Sequence, residues 1–413
     1  MVLPVPADSI TVDEALRRVL DATLVLPPAR VPLTDAAGLA LAEPLVAAED
    51  LPPFPAATMD GFAVVAGDGP GWRQLVGEQL AGYIVDVTVE PGTVARITTG
   101  APLPPGANAV VMVEHTREDD GRVEIQQERI GVGENIRPIG VDMARGQRVL
   151  PAGTVIGPAE VGLLASLGVA EPLVHPRPRV AVLSTGDELV EPWLTPAPGQ
   201  IRDSNRYALG AALAGLRIPV ARFGIAPDEE AATRATLTGA LAAADVLITS
   251  GGVSMGKRDL VKGLLDELGQ VQFGRLFMKP GKPLHFATTN DGKLIFGLPG
   301  NPVSALVGFE IFVRPALLKL AGHPAPVRPR FAVTLSHGIT PGDRPEFQRA
   351  VVRQGPDGRL VATTTGAQAS SRLASLVGAN ALLALPARRA PFQTGEMVEA
   401  MLTGPLLGPE QAQ

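Results

Sequence analysis

Lys279-Pro280-Gly281-Lys282-Pro283 places two ammonium groups on either side of a stiff Pro-Gly turn. Like charges this close repel unless an anion lies between them. Gly300-Asn301-Pro302-Val303-Ser304 follows shortly after. Asn is a good helix cap and Pro a good first helical residue, so a helix should begin there with its amide donors open. Lysines beside a helix N-terminus suit a small oxyanion. A second stretch, Gly251-Gly252-Val253-Ser254-Met255-Gly256 with Asp259 just beyond, has the glycines that let backbone approach a phosphate. A third, Gly186-Asp187-Glu188, puts two acids directly after an apolar run. One or two carboxylates together with phosphate oxygens make a Mg²⁺ site. Each has a plainer reading as well: the glycine and proline motifs as structural turns, the acids as a helix cap.

Other chemistry is excluded or weakly signalled. The chain has no cysteine, so disulfides, thiolate metal sites and cysteine nucleophiles are out. Gly131-Val132-Gly133 lacks the third glycine of a dinucleotide site, and no Gly-x-Ser-x-Gly elbow occurs. The five histidines, His115, His175, His285, His323 and His337, are scattered without metal-ligand spacing. A net charge of -6 argues against a sequence-independent nucleic-acid surface. No apolar run reaches the ~18 residues of a membrane span. The opening MVLPVPADSI lacks the basic and apolar stretches of a signal peptide, so a cytoplasmic location is expected. All six lysines lie from Lys257 onward, against 30 arginines among the 36 basic residues. Codon bias accounts for that; so would sites that need a compact ammonium.

The elements that must position these residues follow from pattern. The 413 residues, 46% apolar and 19% charged, are those of a multidomain globular chain. The spacing predicts an amphipathic helix over 9–25, capped by Ser9 or Thr11, and short strands and turns over 28–53. A β-rich stretch follows to about Gly140, with a hairpin pairing 109–115 and 122–127 across Asp120-Gly121. Residues 142–176 suggest a strand pair and a short helix from Ala159, ended by Gly168. From Arg179 apolar strands (179–185, 218–224, 245–250, 271–277) alternate with helices (203–216, 228–243, 258–268). A hairpin of 284–289 with 293–298 and a long helix over 302–320 close the unit. This alternation implies a doubly wound, mostly parallel α/β sheet, whose ligands bind beyond the carboxyl ends of the strands. The region from about Val327 is all short strands.

The chain resembles the molybdopterin molybdenumtransferases, the family of bacterial MoeA proteins and the E domains of gephyrin and its plant relatives. The resemblance runs through PPFPAATMDGFA (52–63), TTGAPLPPGANAVVMVE (98–114), the Asp142 segment, STGDEL (184–189), IRDSN (201–205), SGGVSMGKRD (250–259), KPGKP (279–283), GLPGNPVSA (297–305), RPEFQRA (344–350) and SSRLASLVGANALLALP (370–386). The SSRL and RPEFQR blocks are especially similar to the gephyrin-type branch.

That resemblance implies a multidomain α/β plus β fold. An N-terminal helix (1–26) packs with a molybdopterin-binding α/β domain (177–326). A small mixed domain (27–45 and 141–176) carries a β-rich insertion (46–140), and a C-terminal β-barrel (327–413) follows. It implies a homodimer that takes adenylyl-molybdopterin and molybdate, requires Mg²⁺, and releases AMP as molybdenum passes to the dithiolene. A molybdopterin adenylyltransferase is the implied handover partner. By match to the family's motifs, Lys279, Lys282, Ser304, Arg349 and Ser370 or Ser371 lie around molybdate, with Ser254 on the pterin side. Asp60, Thr99, Asp142, Glu188, Asp228 and Asp259 match positions tied to activity, with Glu188 and Asp259 as the Mg²⁺ or pterin candidates. Asp60 and Thr99 would reach the site across the dimer. The chain departs from the usual pattern at Thr58, Phe62, Asn108 (where Asp is common), Val141 (where Glu is common) and Ala369, and none of these removes a charged residue assigned to chemistry. Two other readings share features of the sequence: a nucleotide pyrophosphatase on the same α/β fold, which would lack the MDG and TGAP blocks, and a non-enzymatic scaffold, which would not need the acids and lysines.

Overall fold

The computed structural model describes residues 5–6, 9–226, 229–252, 263–264 and 267–408. Helix α1 (Val12–Ala22) opens it, starting at Thr11, whose Oγ1 accepts the Glu14 amide at 3.2 Å. Of the two candidate caps, Thr11 is the one used. The buried stripe Val12, Ala15 and Val19 joins the core of the α/β unit far along the chain.

Short strands Ala29–Arg30, Ala40–Leu41 and Leu173–His175 form a three-stranded sheet, and Leu45–Val46 pairs with Arg148–Leu150. Leu39, Leu41 and Ala47 share one core with Ile156, Leu164 and Val174. The chain thus leaves this small unit and returns to it. What lies between is a six-stranded sheet of β1 (Gly61–Val64), β2 (Gly71–Gln79), β3 (Thr93–Ile97), β4 (Ala109–Met112), β5 (Thr116–Asp119) and β6 (Arg122–Ile125), in the order β4-β1-β3-β2-β6-β5. The hairpin expected between 109–115 and 122–127 is shorter than its sequence pattern. A 3-10 turn over Val113–His115 breaks the run, so β4 pairs with β1 while β5 and β6 make the hairpin across Asp120-Gly121. Helix α2 (Pro158–Ser166) ends before Gly168, which takes φ +73.

The α/β unit is built from β7 (Val180–Thr185), α3 (Asn205–Gly215), β8 (Val220–Ala226), α4 (Glu230–Ala243), β9 (Val246–Ser250), β10 (Gln270–Arg275), β11 (Pro283–Thr288) and β12 (Leu294–Leu298). Strand order is β8-β7-β9-β12-β11-β10. The strands from β8 to β12 run parallel; β11 and β10 are antiparallel to their neighbours. Successive β7 residues alternate between two cores. Val180 and Val182 pack with α1 and α3, whereas Ala181 and Leu183 pack with Leu237 and Leu241 of α4. Both faces are covered, which is why these strands have no polar face. The chain then forms α5 (Pro302–Gly308), a π turn over Phe309–Val313, and α6 (Arg314–Leu320). The single helix expected over 302–320 is continuous but widened, since Pro315 has no N–H for the carbonyl four residues earlier. Of the helix expected over 258–268, most lies outside the described residues.

A closed barrel completes the fold: β13 (Arg330–Leu335), β14 (Glu346–Gln354), β15 (Leu360–Thr364), β16 (Ala381–Leu385) and β17 (Met397–Leu402), in the order β13-β15-β14-β16-β17. Phe347, Leu382 and Met401 of the barrel sit in the same core as β9 and β12. Backbone bonds also join the units: Lys279 N to Pro345 O at 2.8 Å and Phe347 N to Lys279 O at 2.8 Å. No helix among the described residues is long and apolar enough to cross a membrane.

Candidate active site

Parallel strands bring their carboxyl ends to one edge, so β7, β9 and β12 deliver Thr185, Ser250-Gly251 and Leu298 side by side. Gly251 donates to Leu298 O at 3.1 Å, and a Cβ on it would lie 2.6 Å from Thr185 O. With φ +89 as well, this crossing admits only glycine comfortably. Asn205, at the start of α3, spans the edge: its Nδ2 donates to Ser250 Oγ at 2.8 Å and Gly300 O at 2.7 Å. Arg206 beside it is buried and bonded to Asp203 and Glu191, which also accepts from Tyr207 Oη. The IRDSN block therefore holds one loop to another as well as shaping the crevice. Asn205 was not among the residues singled out from sequence; its place in the first turn of the helix was the available signal.

Ser184 Oγ, Thr185 Oγ1, Thr249 Oγ1 and Asn205 Oδ1 are buried and have no hydrogen-bond partner among the described residues. Polar atoms of this kind are normally satisfied, so the edge is suited to a polar ligand or ordered water. Asp187 and Glu188 follow β7, exposed and without an ion pair to any described residue. These hard oxygen donors fit Mg²⁺, which holds few protein ligands and keeps waters and phosphate oxygens. Among the described residues no group of three metal-ligating side chains is preassembled. Ser254 and Asp259 lie outside the described residues, as does Asp228; Glu229 caps α4 by accepting the Ala231 and Ala232 amides.

The lysine turn meets the barrel. Lys279 Nζ sits 2.9 Å from Oε1 of Glu346, which is 4% exposed and also accepts from Gln348 Nε2 at 2.6 Å. The expected anion between the two lysines is therefore replaced, at Lys279, by a carboxylate of β14. Lys282 is half-buried and has no ion pair to a described residue. Ser304 is buried one turn into α5. The α5 amides are less open than the sequence suggested, because Val303 N donates to Ser370 O at 3.1 Å. That bond draws the serine loop of the barrel onto the start of α5. Ser370 is half-buried and Ser371 exposed.

Arg349 is fully buried. Its Nε donates to Ser375 Oγ at 3.0 Å, and its terminal nitrogens to the carbonyls of Gln368, Ala367 and Ala369 at 3.4, 3.4 and 3.2 Å. It thus holds the segment just before Ser370. Burial pushes its pKa down, opposed by Glu346.

Among the described residues no hydrogen bond or ion pair joins Asp60, Thr99 or Asp142 to this crevice. Asp60 Oδ1 accepts Thr99 N at 2.7 Å and Thr99 Oγ1 at 2.8 Å, which holds its carboxyl below the usual carboxylate range. Asp142 pairs with Arg137.

A doubly wound sheet with polar strand ends, joined by a lysine turn to a barrel, together with a small unit that carries an inserted β sheet, makes this a multidomain α/β plus β protein. Residues 10–168 match the MoeA N-terminal region (domain I and II), 181–319 the probable molybdopterin binding domain, and 332–403 the MoeA C-terminal region (domain IV). Molybdopterin molybdenumtransferase 2 of Mycobacterium tuberculosis is 40% identical over 390 residues, covering 91% of this chain and 95% of that one. Gephyrin of Dictyostelium discoideum is 36% identical over 91% of this chain, which spans 60% of gephyrin's length. The solved molybdopterin biosynthesis MoeA protein of Pyrococcus horikoshii superposes with a TM-score of 0.83 at 29% identity, covering 96% of this chain and 100% of that one. The chain belongs to the molybdopterin molybdenumtransferase family of molybdenum cofactor biosynthesis.

Proposed function

We propose that this transferase inserts molybdenum from molybdate into adenylyl-molybdopterin and releases AMP. The observation that carries the reading is the junction between Ser370 O and Val303 N, 3.1 Å, next to the lysine turn. It brings the serine loop to the start of α5, where Ser304 is buried, and a Cβ on Gly281 of the lysine turn would lie 3.9 Å from Ser304 O. One subsite then suits an oxyanion and the adjoining edge suits the phosphoanhydride of the pterin substrate.

In this reading Lys282 supplies the uncompensated charge for molybdate, and the serine hydroxyls donate to its oxygens. Lys279, fixed by Glu346, orients the turn. Arg349 keeps the serine loop in place. The Gly251 crossing and Asn205 hold the strand ends so that the phosphate-bearing substrate lies across them. Glu188, with Asp187 beside it and Asp259 as the further family match, would hold Mg²⁺, which when bound polarises the phosphoanhydride as a Lewis acid. The family match at Asp60 and Thr99 supports a homodimer in which the inserted unit of one subunit completes the other's site. Delivery of the adenylylated substrate by a molybdopterin adenylyltransferase and a cytoplasmic setting complete the proposal.

The test is to incubate the protein with adenylyl-molybdopterin, molybdate and Mg²⁺, and to measure molybdenum that co-elutes with the pterin. Pterin-bound molybdenum that depends on the protein is expected. Its absence, with substrate and protein both intact, would overturn the reading.

A further inference from the structure

A second cationic cavity lies where the small mixed unit meets the α/β unit, apart from the strand-end crevice. It encloses about 780 Å³, the size of a small-molecule pocket. Arg177, Arg217, Arg314 and His323 line it, and no Asp or Glu does. The apolar part of the wall is formed by Val161, Leu216, Leu317 and Leu318 among others.

Two guanidiniums converge over Gly38. A Cβ on that residue would lie 2.9 Å from Arg177 Nη2 and 3.9 Å from Arg217 Nη1, so the missing side chain makes room for both. Arg177 Nη2 donates to Ala37 O at 2.9 Å, which fixes its head. Neither Arg177 nor Arg217 has a carboxylate partner among the described residues. Glu310 pairs with Arg314 at 3.6 Å and also with Arg328, so it leaves Arg314 only partly compensated. Glu160, on the neighbouring helix α2, is turned back to the Gly157 amide. Arg217 adopts φ +55 directly after α3, a conformation glycine takes more readily, yet the residue there is a cation. Arg177 and Arg314 have pKa values lowered by burial first, then by Arg217 and Arg328 respectively. Burial and the cations Arg314 and Arg177 also lower that of His323, so it is neutral near pH 7 and can donate or accept one hydrogen bond.

Convergent, unpaired guanidiniums on an apolar wall lack one thing, which is an anion. We infer that this cavity binds a small organic anion, its phosphate or carboxylate head between Arg177 and Arg217 and its apolar body against Leu216 and Leu317. No step of the metal-insertion reaction needs this site. A ligand there would touch both structural units at once.

The experiment is calorimetric titration of the full chain with phenyl phosphate, benzoate and inorganic phosphate. The chain carrying Arg177→Gln with Arg217→Gln, the one carrying Leu318→Trp, and the one carrying Lys279→Ala with Lys282→Ala are titrated alongside. Circular dichroism confirms that each is folded. Phenyl phosphate or benzoate should bind, whichever is tighter naming the head group, and at least tenfold more tightly than inorganic phosphate. The paired arginine change should weaken binding at least tenfold, Leu318→Trp should block it by filling the cavity, and the paired lysine change should alter it less than twofold. The inference is overturned if neither organic anion binds, if inorganic phosphate binds equally well, or if the lysine change abolishes binding while the arginine change does not. Should the arginine pair not fold, Leu318→Trp decides alone: retained binding overturns the site.

Discussion

Lys279 Nζ and Glu346 Oε1 lie 2.9 Å apart, joining the lysine turn of the α/β unit to barrel strand β14, which carries the RPEFQR block. The carboxylate is nearly inaccessible while the lysine side chain is 45% exposed. One of the two lysines is therefore neutralised by the protein itself, and the two ammoniums are not equivalent.

Lys282→Ala should weaken molybdate binding about tenfold or more, the scale of a charge-assisted contact at roughly 1.5–3 kcal/mol. Lys279→Ala should weaken it less and lower the melting temperature more, because it strands the buried Glu346 carboxylate. Glu346→Gln should cost about 1–2 kcal/mol, less than a fully buried pair since Lys279 reaches solvent. Equilibrium binding and denaturant titration of the three variants measure these effects; equal binding losses for the two lysines would contradict the asymmetry.

Arg349→Met should destabilise the protein by about 2–4 kcal/mol, since it leaves the Ser375 hydroxyl and a set of loop carbonyls without their donor. Amide exchange should rise over 366–376 before it rises elsewhere. Molybdate affinity should fall through the displaced serines. Unchanged exchange in that segment would show that the loop does not depend on Arg349.

Asp60 titrates low because the Thr99 amide, first, and the Thr99 hydroxyl, second, bond to its charged form. A depressed folded pKa contributes stability above the unfolded value of about 4 and loses it as pH falls through the folded value. Thr99→Val removes the hydroxyl and keeps the amide. The Asp60 carboxyl, followed by carbon NMR, should therefore titrate higher than in the parent chain yet still below an ordinary aspartate. No change on substitution would show that the hydroxyl contact is not made in solution.

Gly251→Ala should cost about 1–3 kcal/mol, because it combines φ +89 with a Cβ only 2.6 Å from Thr185 O. The strand ends must part to admit it, so pterin binding should weaken together with stability. Thermal melts and binding of the pterin substrate report both; a neutral substitution would mean that the strand ends are not held together there.

Much of the architecture was legible because its signals are local. Continuous apolar strands such as Val180–Thr185, punctuated by Gly and Pro, mark a sheet buried on both faces. The π turn near Pro315 and the shortened hairpin at β5–β6 were harder to read, as each depends on how a locally plausible run is interrupted. At the site, motif resemblance pointed to Lys279, Ser304, Arg349 and Ser370, which the fold gathers at the junction of two units. It did not show that Glu346 neutralises Lys279 or that Arg349 spends its donors on loop carbonyls. Those are contacts between residues tens of positions apart, set by barrel register and not by spacing. Asn205 was missed for the same reason, as its partners Ser250 and Gly300 belong to two other strand–loop junctions.

In the proposed reaction cleavage of the adenylyl bond is coupled to metal insertion, so AMP release is the decisive readout. Purified protein, adenylyl-molybdopterin and Mg²⁺ are mixed with and without molybdate, and AMP is followed in time. AMP release should depend on molybdate and be accompanied by pterin-bound molybdenum. AMP released at the same rate without molybdate, and with no metal transfer when molybdate is present, would contradict it.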